Sequence, residues 1–576
     1  MSHLPNLVAR FTFIAFILTL SGCGQEVSEP GVRQSADLIF YGSHIITMDD
    51  SLEGAAALAV KDGRILAVGS RGDISKLKNE QTQIINLENK ALLPGFIDTH
   101  GHFASQALVM GMVNVAAPPV GPVDSIAKLK EVLSDELKAR NLPKGAWLLG
   151  FGYEPSLFKD EVRQPDRDDL DAVSKEHPIY LVHQSGHLGT TNSLALSLTG
   201  YDSSTENPEG GVIVRRQGSN EPNGVLEEKA NWKVFYSLPK PPVEAVFHLL
   251  SKAQDYYAGY GITTTQEGRA SDDQVKLLQG YAGAGKLDLD LVVYPDIETG
   301  AKSLENWTSF GIYNNRLKLG GVKISLDGSI QGFTAWLQHP YFKPPHGLPG
   351  DYKGYPAYTQ TQVTAFMSHS RDKGWQMLVH ANADGAIQQM LDTLESVFVD
   401  KQAIQRGRHT VIHAQMSTED QLDRMNELGV IPSFMAAHPF YYGDYHVSDT
   451  IGPERAARLD PLKSASDRKI PFNIHNDAPV FPPDIMRMVW ASVNRLSRSG
   501  QIIGPEQRIS TLQALKAVTL DGAYQYFEEN EKGSLTPGKL ADLVILEKNP
   551  LQADPGLLKD IKILATYKEG RLIFSR

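Results

Sequence analysis

From Val243 onward the chain alternates helix-like amphipathic stretches with short apolar runs. The runs are Gly261–Thr265, Leu289–Tyr294, Leu319–Ile324, Trp375–Val379, Thr410–Ile412, Val430–Phe434 and Ile470–Ile474. Helical stretches lie between several of them, such as Asp384–Val397 and Thr418–Leu428. Strands that read as unbroken apolar runs are buried on both faces, and regular alternation with helices demands a parallel sheet. With the earlier run Leu92–Ile97, which leads into Asp98-Thr99-His100-Gly101-His102, the total is eight strands, the number of a (β/α)8 barrel. A doubly wound open sheet is the alternative, but no Gly-x-Gly-x-x-Gly follows the first strand to mark a nucleotide site.

The two chain ends have a different pattern. Ala36–Gly42, Ile45–Met48, Ala57–Val60 and Arg64–Val68 read as short strands, and Lys61-Asp62-Gly63-Arg64 is a hairpin signal. Leu540–Leu546, Ile561–Tyr567 and Arg571–Phe574 read the same way at the other end. The expected organisation is one composite β-sandwich from residues 36–91 and 526–576, with the barrel, 92–525, inserted between its halves. Residues of about 114–240 mix helical pieces such as Ser125–Ala139 with Gly/Pro-rich turns and apolar runs. That is too long and too apolar for a plain barrel loop, so it reads as an inserted lobe over the site.

A length of 576 residues with 41% apolar and 21% charged residues describes an ordinary globular protein of more than one core. The net charge of −11, with no basic run, argues against a nucleic-acid partner. Fifty glycines and 33 prolines fit frequent strand-to-helix turns. Cys23 is the sole cysteine, so no intrachain disulfide exists. It follows Arg10, the short apolar core Phe11–Leu20 and the small residues Ser21 and Gly22, which is the plan of a signal peptide. Leu20-Ser21-Gly22-Cys23 resembles a bacterial lipoprotein lipobox. That resemblance implies a signal peptide at 1–22, a lipidated Cys23 and a flexible tether at 23–35. It also implies a membrane-anchored protein of the cell envelope, facing the periplasm or the surface. Gly24, in place of an aspartate, favours the outer membrane.

In a barrel the strand C-termini converge on one face, where catalytic groups lie. Strand one ends in His100 and His102, strand four carries Lys323, strand five ends in His380, strand six in His413 and strand eight in Asp477. A single histidine at a strand end is more often a hydrogen-bonded structural residue than a ligand, and a single aspartate more often a helix cap. Their joint placement at the proper ends of separate strands points to a metal site.

The chain resembles the amidohydrolase superfamily, in the branch that includes N-substituted formamide deformylases. The resemblance is carried by Pro94–His102, Val322–Ser329, Asn476–Val480, Gly533–Val544 and, in the insert, Ser185-Gly186-His187, Asn192-Ser193 and Gly210-Gly211. It implies a TIM-like metal-dependent hydrolase barrel in which His100, His102, His380, His413 and Asp477 surround the metal. Lys323, carboxylated on its amine, would bridge two ions. Zn²⁺ is the expected ion, one or two per chain, although N/O ligands also admit Mn²⁺, Fe²⁺ or Ni²⁺. Zinc lowers the pKa of a bound water from about 15.7 to about 7, so a metal-bound hydroxide would attack an amide-like carbonyl. Asp477 would pass the proton to the leaving nitrogen. The implied activity is hydrolysis of a non-peptide C–N bond in a small molecule. An ester, lactone or cyclic-amide hydrolase and a non-catalytic, surface-anchored solute-binding protein are the alternatives. His475, in step with Asp477, is either a substrate contact or, more often for such a residue, a packing histidine behind the ligands, and His187 and His438 are either substrate contacts or structural residues. Oligomeric state is not legible in the sequence.

Overall fold

The structure, a computed structural model, describes residues 35–159, 161–345 and 347–576. The stretch expected to be a signal peptide, Cys23 and the expected tether up to residue 34 lie outside the described residues. Two four-stranded sheets share a core built from both chain ends. One runs in the order Arg64–Gly69, Ala57–Lys61, Leu38–Gly42, Gln83–Glu88, and the other Arg571–Ser575, Ile563–Lys568, Leu543–Leu546, Ala91–Pro94. Leu38, Phe40, Leu58 and Val60 of the first meet Leu92, Leu543, Ile545 and Tyr567 of the second. Asp62 and Gly63 both take positive φ (49° and 75°), the backbone a tight two-residue hairpin requires.

Two short runs depart from expectation. Ile45–Met48 is not a strand. Only Ile45 bridges to Leu92, and Met48 turns the chain away at φ 57°. The run Leu92–Ile97, expected as one strand leading to His100, is divided at Gly95. Ala91–Pro94 pairs antiparallel with Leu543–Leu546 in the small unit, while Phe96–Ile97 pairs parallel with Ile262 and Thr264 of the barrel. The switch needs glycine, because a Cβ at residue 95 would lie 2.5 Å from the Thr263 side chain.

All eight expected barrel strands are present: Phe96–Ile97, Ile262–Ala270, Asp290–Pro295, Leu317–Leu319 continued by Gly321–Ser325, Gln376–Ala381, Thr410–His413, Ile431–Phe434 and Asn473–Ile474. They pair in parallel in chain order. The two recorded sheets meet where Asp296 bridges Lys323, and strand eight returns to strand one through Thr99 Oγ1 on Asn473 Oδ1 at 2.8 Å. Alternation explains the unbroken apolar runs. Val292, Tyr294, Leu378 and Ile412 fill the barrel interior, while Leu291, Val293, Met377, Val379 and Val411 pack outward against the helices. The helix Glu419–Leu428 starts on a capping box, with Thr418 accepting from the Gln421 N–H and the Gln421 side chain answering.

The insert is a lobe with its own six-stranded sheet, ordered Gly211–Arg215, Pro222–Glu228, Leu188–Thr191, Ile179–His183, Leu148–Tyr153, Val113–Asn114. Helices on its two faces bury separate apolar clusters around Leu129, Leu148 and Leu181 and around Tyr180, Leu226 and Val234.

The C-terminal Glu528–Asp542 stretch, which overlaps the Gly533–Val544 run, has a structural role. Lys532 and Lys568 lie 2.5 and 2.6 Å from Asp290 Oδ2, Lys568 lies 2.7 Å from Asp542, and Lys532 and Lys318 both pair with Glu528. Arg316 joins Asp290 to Glu569. This ion network welds the third barrel strand to the small β unit. Asp290→Asn leaves two buried ammonium groups short of a counter-charge, so a loss of about 3–5 kcal/mol is expected in denaturant titrations. A loss below about 1 kcal/mol would mean the network is not holding the junction.

Candidate metal centre and active site

Lys323 and His380 occupy interior-facing positions of strands four and five, in step with Leu378. His413 closes strand six, and His100, His102 and Asp477 follow strands one and eight. The six side chains form one cluster at the C-terminal face. Lys323 Nζ is 3.0 Å from His100 Nε2. Asp477 Oδ1 is 3.3 Å from His100 Nε2 and 3.2 Å from His102 Nε2, and Asp477 Oδ2 is 3.9 Å from His413 Nε2. The His380 and His413 rings are 4.5 Å apart, edge to face. His413 and Asp477 hold left-handed backbone, at φ 76° and 56°. Such a conformation costs a non-glycine residue roughly 1–3 kcal/mol and persists where surrounding structure imposes it, often at functional sites.

The histidines are aimed by neighbours that hold their other nitrogen. His100 Nδ1 donates to Gln266 Oε1 at 2.7 Å, and Gln266 is itself fixed by Thr99 O and the Tyr526 hydroxyl. His102 Nδ1 faces Glu267 Oε1 at 3.7 Å, and His380 Nδ1 faces Asp327 Oδ1 at 3.2 Å. His413 Nδ1 is 3.1 Å from His475 Nε2, whose Nδ1 is 2.8 Å from Ser433 Oγ. Gly268 makes room for this arrangement, since a Cβ there would lie 2.4 Å from the His100 ring.

Burial drives the electrostatics. It pushes the His100 and His413 imidazoles well below their ordinary range, with help from Lys323 and His380 respectively, so both are neutral and able to donate a lone pair. Burial brings the Lys323 amine down to about 7. Burial also works against the charges of Asp477 and His102, but their mutual attraction outweighs it. Asp477 stays well below the usual carboxylate range, and Asp477 with Glu267 lifts His102 to about 9.

The residues fit a divalent cation. One ligand atom from each of His100, His102 and Asp477 lies within 4.8 Å of the others. Asp477 Oδ1 is buried without a hydrogen-bond partner. An unsatisfied carboxylate oxygen set between His100 and His102, with the neutral His100 and His413 imidazoles beside it, is what a cation answers.

The three histidines open to substrate contact separate. His475 is fully buried, and both its nitrogens are engaged by Ser433 and His413. With both nitrogens engaged it stands behind His413 as a support, the packing role of the two open to it. Outer partners of this type typically set metal affinity by 10–100-fold. His475→Phe should weaken zinc binding by about that factor in a competition titration with the fold retained. An unchanged affinity would remove the relay. His187, at the insert's edge, has Nδ1 3.0 Å from Glu228 Oε2 and lies within electrostatic reach of His380. His438 is buried with Nδ1 3.0 Å from His446 Nε2 and lies close enough to feel Asp477. Sequence reasoning missed Gln266, Glu267, Asp327 and Ser433. Strand two was expected to end at Thr265 but runs on to Ala270, and the polar pair Gln266-Glu267 directly after the apolar run was the available signal.

A family model described as "Amidohydrolase family" matches residues 83–574. The chain is 30% identical to Protein LONG AFTER FAR-RED 3 of Arabidopsis thaliana, over 94% of this chain and 92% of that one. It is 26% identical to N-substituted formamide deformylase of Arthrobacter pascens, over 95% and 99%. A crystal structure of an uncharacterized metal-dependent hydrolase from Pyrococcus furiosus superposes with a TM-score of 0.70 at 23% identity, covering 89% of this chain and 100% of that one, and so shares the fold. With a model match across the whole barrel and the C-terminal part of the small β unit, and a convergent His/Lys/Asp cluster at the barrel mouth, the chain belongs to the amidohydrolase family.

Proposed function

We propose that this protein is a metal-dependent hydrolase that cleaves a non-peptide C–N bond in a small amide. The observation that carries the reading is Asp477. It is an ionised, buried carboxylate with one orphan oxygen, set 3.2–3.3 Å from two imidazoles at the mouth of an amidohydrolase barrel. His100, His102, His380, His413 and Asp477 would hold the ion, with Zn²⁺ favoured by the N/O donor set. Lys323, whose amine burial brings down to about 7, would take up CO2 and add an anionic carboxylate to the metal's donors. Bound there, the metal supplies Lewis-acid polarisation of the carbonyl and lowers the pKa of a water.

The chain's own residues do the rest. Asp477 accepts the proton released as water adds to the carbonyl carbon. It delivers that proton to the nitrogen as the C–N bond breaks, because an amide anion is a poor leaving group. The products are a carboxylic acid and an amine. His187, steadied by Glu228, and His438, steadied by His446, border the site and are assigned to substrate contact. The 26% identical relative named N-substituted formamide deformylase supports an N-substituted amide as substrate class.

Protein purified without chelators should contain a divalent metal and turn over members of a panel of N-substituted formamides and other amides. Chelation should abolish turnover and zinc should restore it. Metal-free protein, or turnover confined to esters and lactones, would overturn the proposal. Lipid anchoring through Cys23 belongs to the same proposal. Cys23→Ser should shift the protein from the membrane to the soluble fraction, and a wild-type protein already soluble would refute the anchor.

A further inference from the structure

We infer that Gln184, on the inserted lobe, is a positioning residue for Asp477, so the lobe forms part of the catalytic apparatus. The inference rests on the assignment of Asp477 as proton carrier.

Asp477 sits at the start of a turn whose backbone is held at three points. Val480 N donates to Asp477 O at 2.8 Å, and His102 N, in the segment after strand one, donates to Ala478 O at 2.7 Å. The third point comes from the insert: Gln184 Nε2 donates to Val480 O at 2.9 Å, across 296 residues of sequence. A left-handed backbone at a non-glycine residue survives only where its surroundings over-determine it, and this turn carries one at Asp477.

The amide of Gln184 cannot turn over without loss. Its Nε2 faces a carbonyl, which only accepts, while Oε1 shares the Tyr442 hydroxyl proton, at 3.2 Å, with the Glu154 carboxylate. Tyr442 is anchored in turn by Glu154 Oε2 at 3.1 Å, and Glu154 by His183 Nε2 at 3.2 Å and by the N–H and hydroxyl of Ser156. Gln184 N also donates to Tyr153 O at 3.0 Å, which ties the residue into the lobe's sheet. Glu154, His183, Gln184 and Tyr442 are all buried. Around them Val120 of the insert packs against a cluster containing Tyr441 and Phe481, whose rings stack at 3.9 Å. A chain of buried, mutually oriented polar groups thus runs from the lobe's sheet to the turn that aims the catalytic carboxylate.

The test uses the full-length, zinc-saturated protein with Gln184→Met, which keeps the volume, and Gln184→Glu, which keeps the shape but replaces the donor with an acceptor. Misplacement of a reacting group by about 1 Å costs about 10²-fold in rate. Both variants should therefore lose about 10–100-fold in kcat, with KM within about threefold of wild type. Tyr442→Phe, which frees the amide without removing it, should lose less. Crystal structures of wild type and Gln184→Met should show the Asp477 carboxylate displaced in the variant. A competition titration should show weaker zinc binding. An unchanged kcat, a rise in KM alone, or a loss of activity matched by a loss of thermal stability with Asp477 in place would each overturn the inference. If wild type hydrolyses no amide, the proposed reaction fails. The Asp477 position and the zinc affinity of the variant still decide the role of Gln184.

Discussion

Asp477→Asn should abolish hydrolysis while leaving the barrel folded. Asparagine keeps the size of the side chain and one carbonyl oxygen. It is also among the few residues that accept left-handed backbone, so the φ of 56° at this position is no obstacle. What disappears is the negative charge and the capacity to carry a proton. General acid–base catalysis contributes typically 10²–10⁴-fold, so kcat at saturating zinc should fall by about 10³-fold or more. Metal should still bind, more weakly, because His100, His102, His380 and His413 remain. Measuring kcat across a zinc titration separates the two effects. A variant that recovers near wild-type turnover once zinc is saturating would show that another group carries the proton. A secondary result is expected at His102. With Asp477 neutral, one of the two carboxylates that raise its pKa is gone, and the imidazole should lose its proton more readily.

Lys323→Met should cost as much. Lys323 is only 2% exposed, and its amine lies 3.0 Å from the His100 nitrogen that faces the site. An ammonium there would oppose a dication. Burial instead brings the amine to about 7, where a substantial neutral fraction can add CO2 and become an anionic ligand. Methionine fills the space without a nitrogen. The variant should bind less metal per chain and lose about 10³-fold or more in kcat, in line with loss of the metal's charge stabilisation. Native mass spectrometry of wild type should show the added mass of one CO2, lost on acidification and absent from the variant. Wild-type metal content and rate in Lys323→Met would refute the role.

The sequence was most readable where burial is symmetric. A strand covered by side chains within the barrel and helices outside must be apolar at every position. Val292, Tyr294 and Leu378 inside, with Leu291, Val293 and Val379 outside, therefore spell continuous runs. The ends of those runs located His380, His413 and Lys323. The same logic could not tell which sheet a run joins. Leu92–Ile97 serves two sheets, and what divides it is contact with Thr263, far away in the chain. Gln266 and Glu267 were passed over because a glutamine or glutamate after an apolar run is common at any loop start. Their meaning comes from His100 and His102 standing beside them.

By itself, then, the sequence determined the alternating architecture, the chain-end β unit, the presence of a separate lobe and the side chains able to ligate a metal. Each is written in local periodicity or in residue type at a strand end. Only the tertiary structure decided how those side chains are used. Hydrogen-bond partners made His475 a support for His413 and paired His187 with Glu228. Close approach across 296 residues brought Gln184 to the turn that carries Asp477. The physical reason is range. Periodicity reports what is buried along one stretch of chain, whereas the aim of an imidazole or carboxylate is set by partners that folding brings from elsewhere.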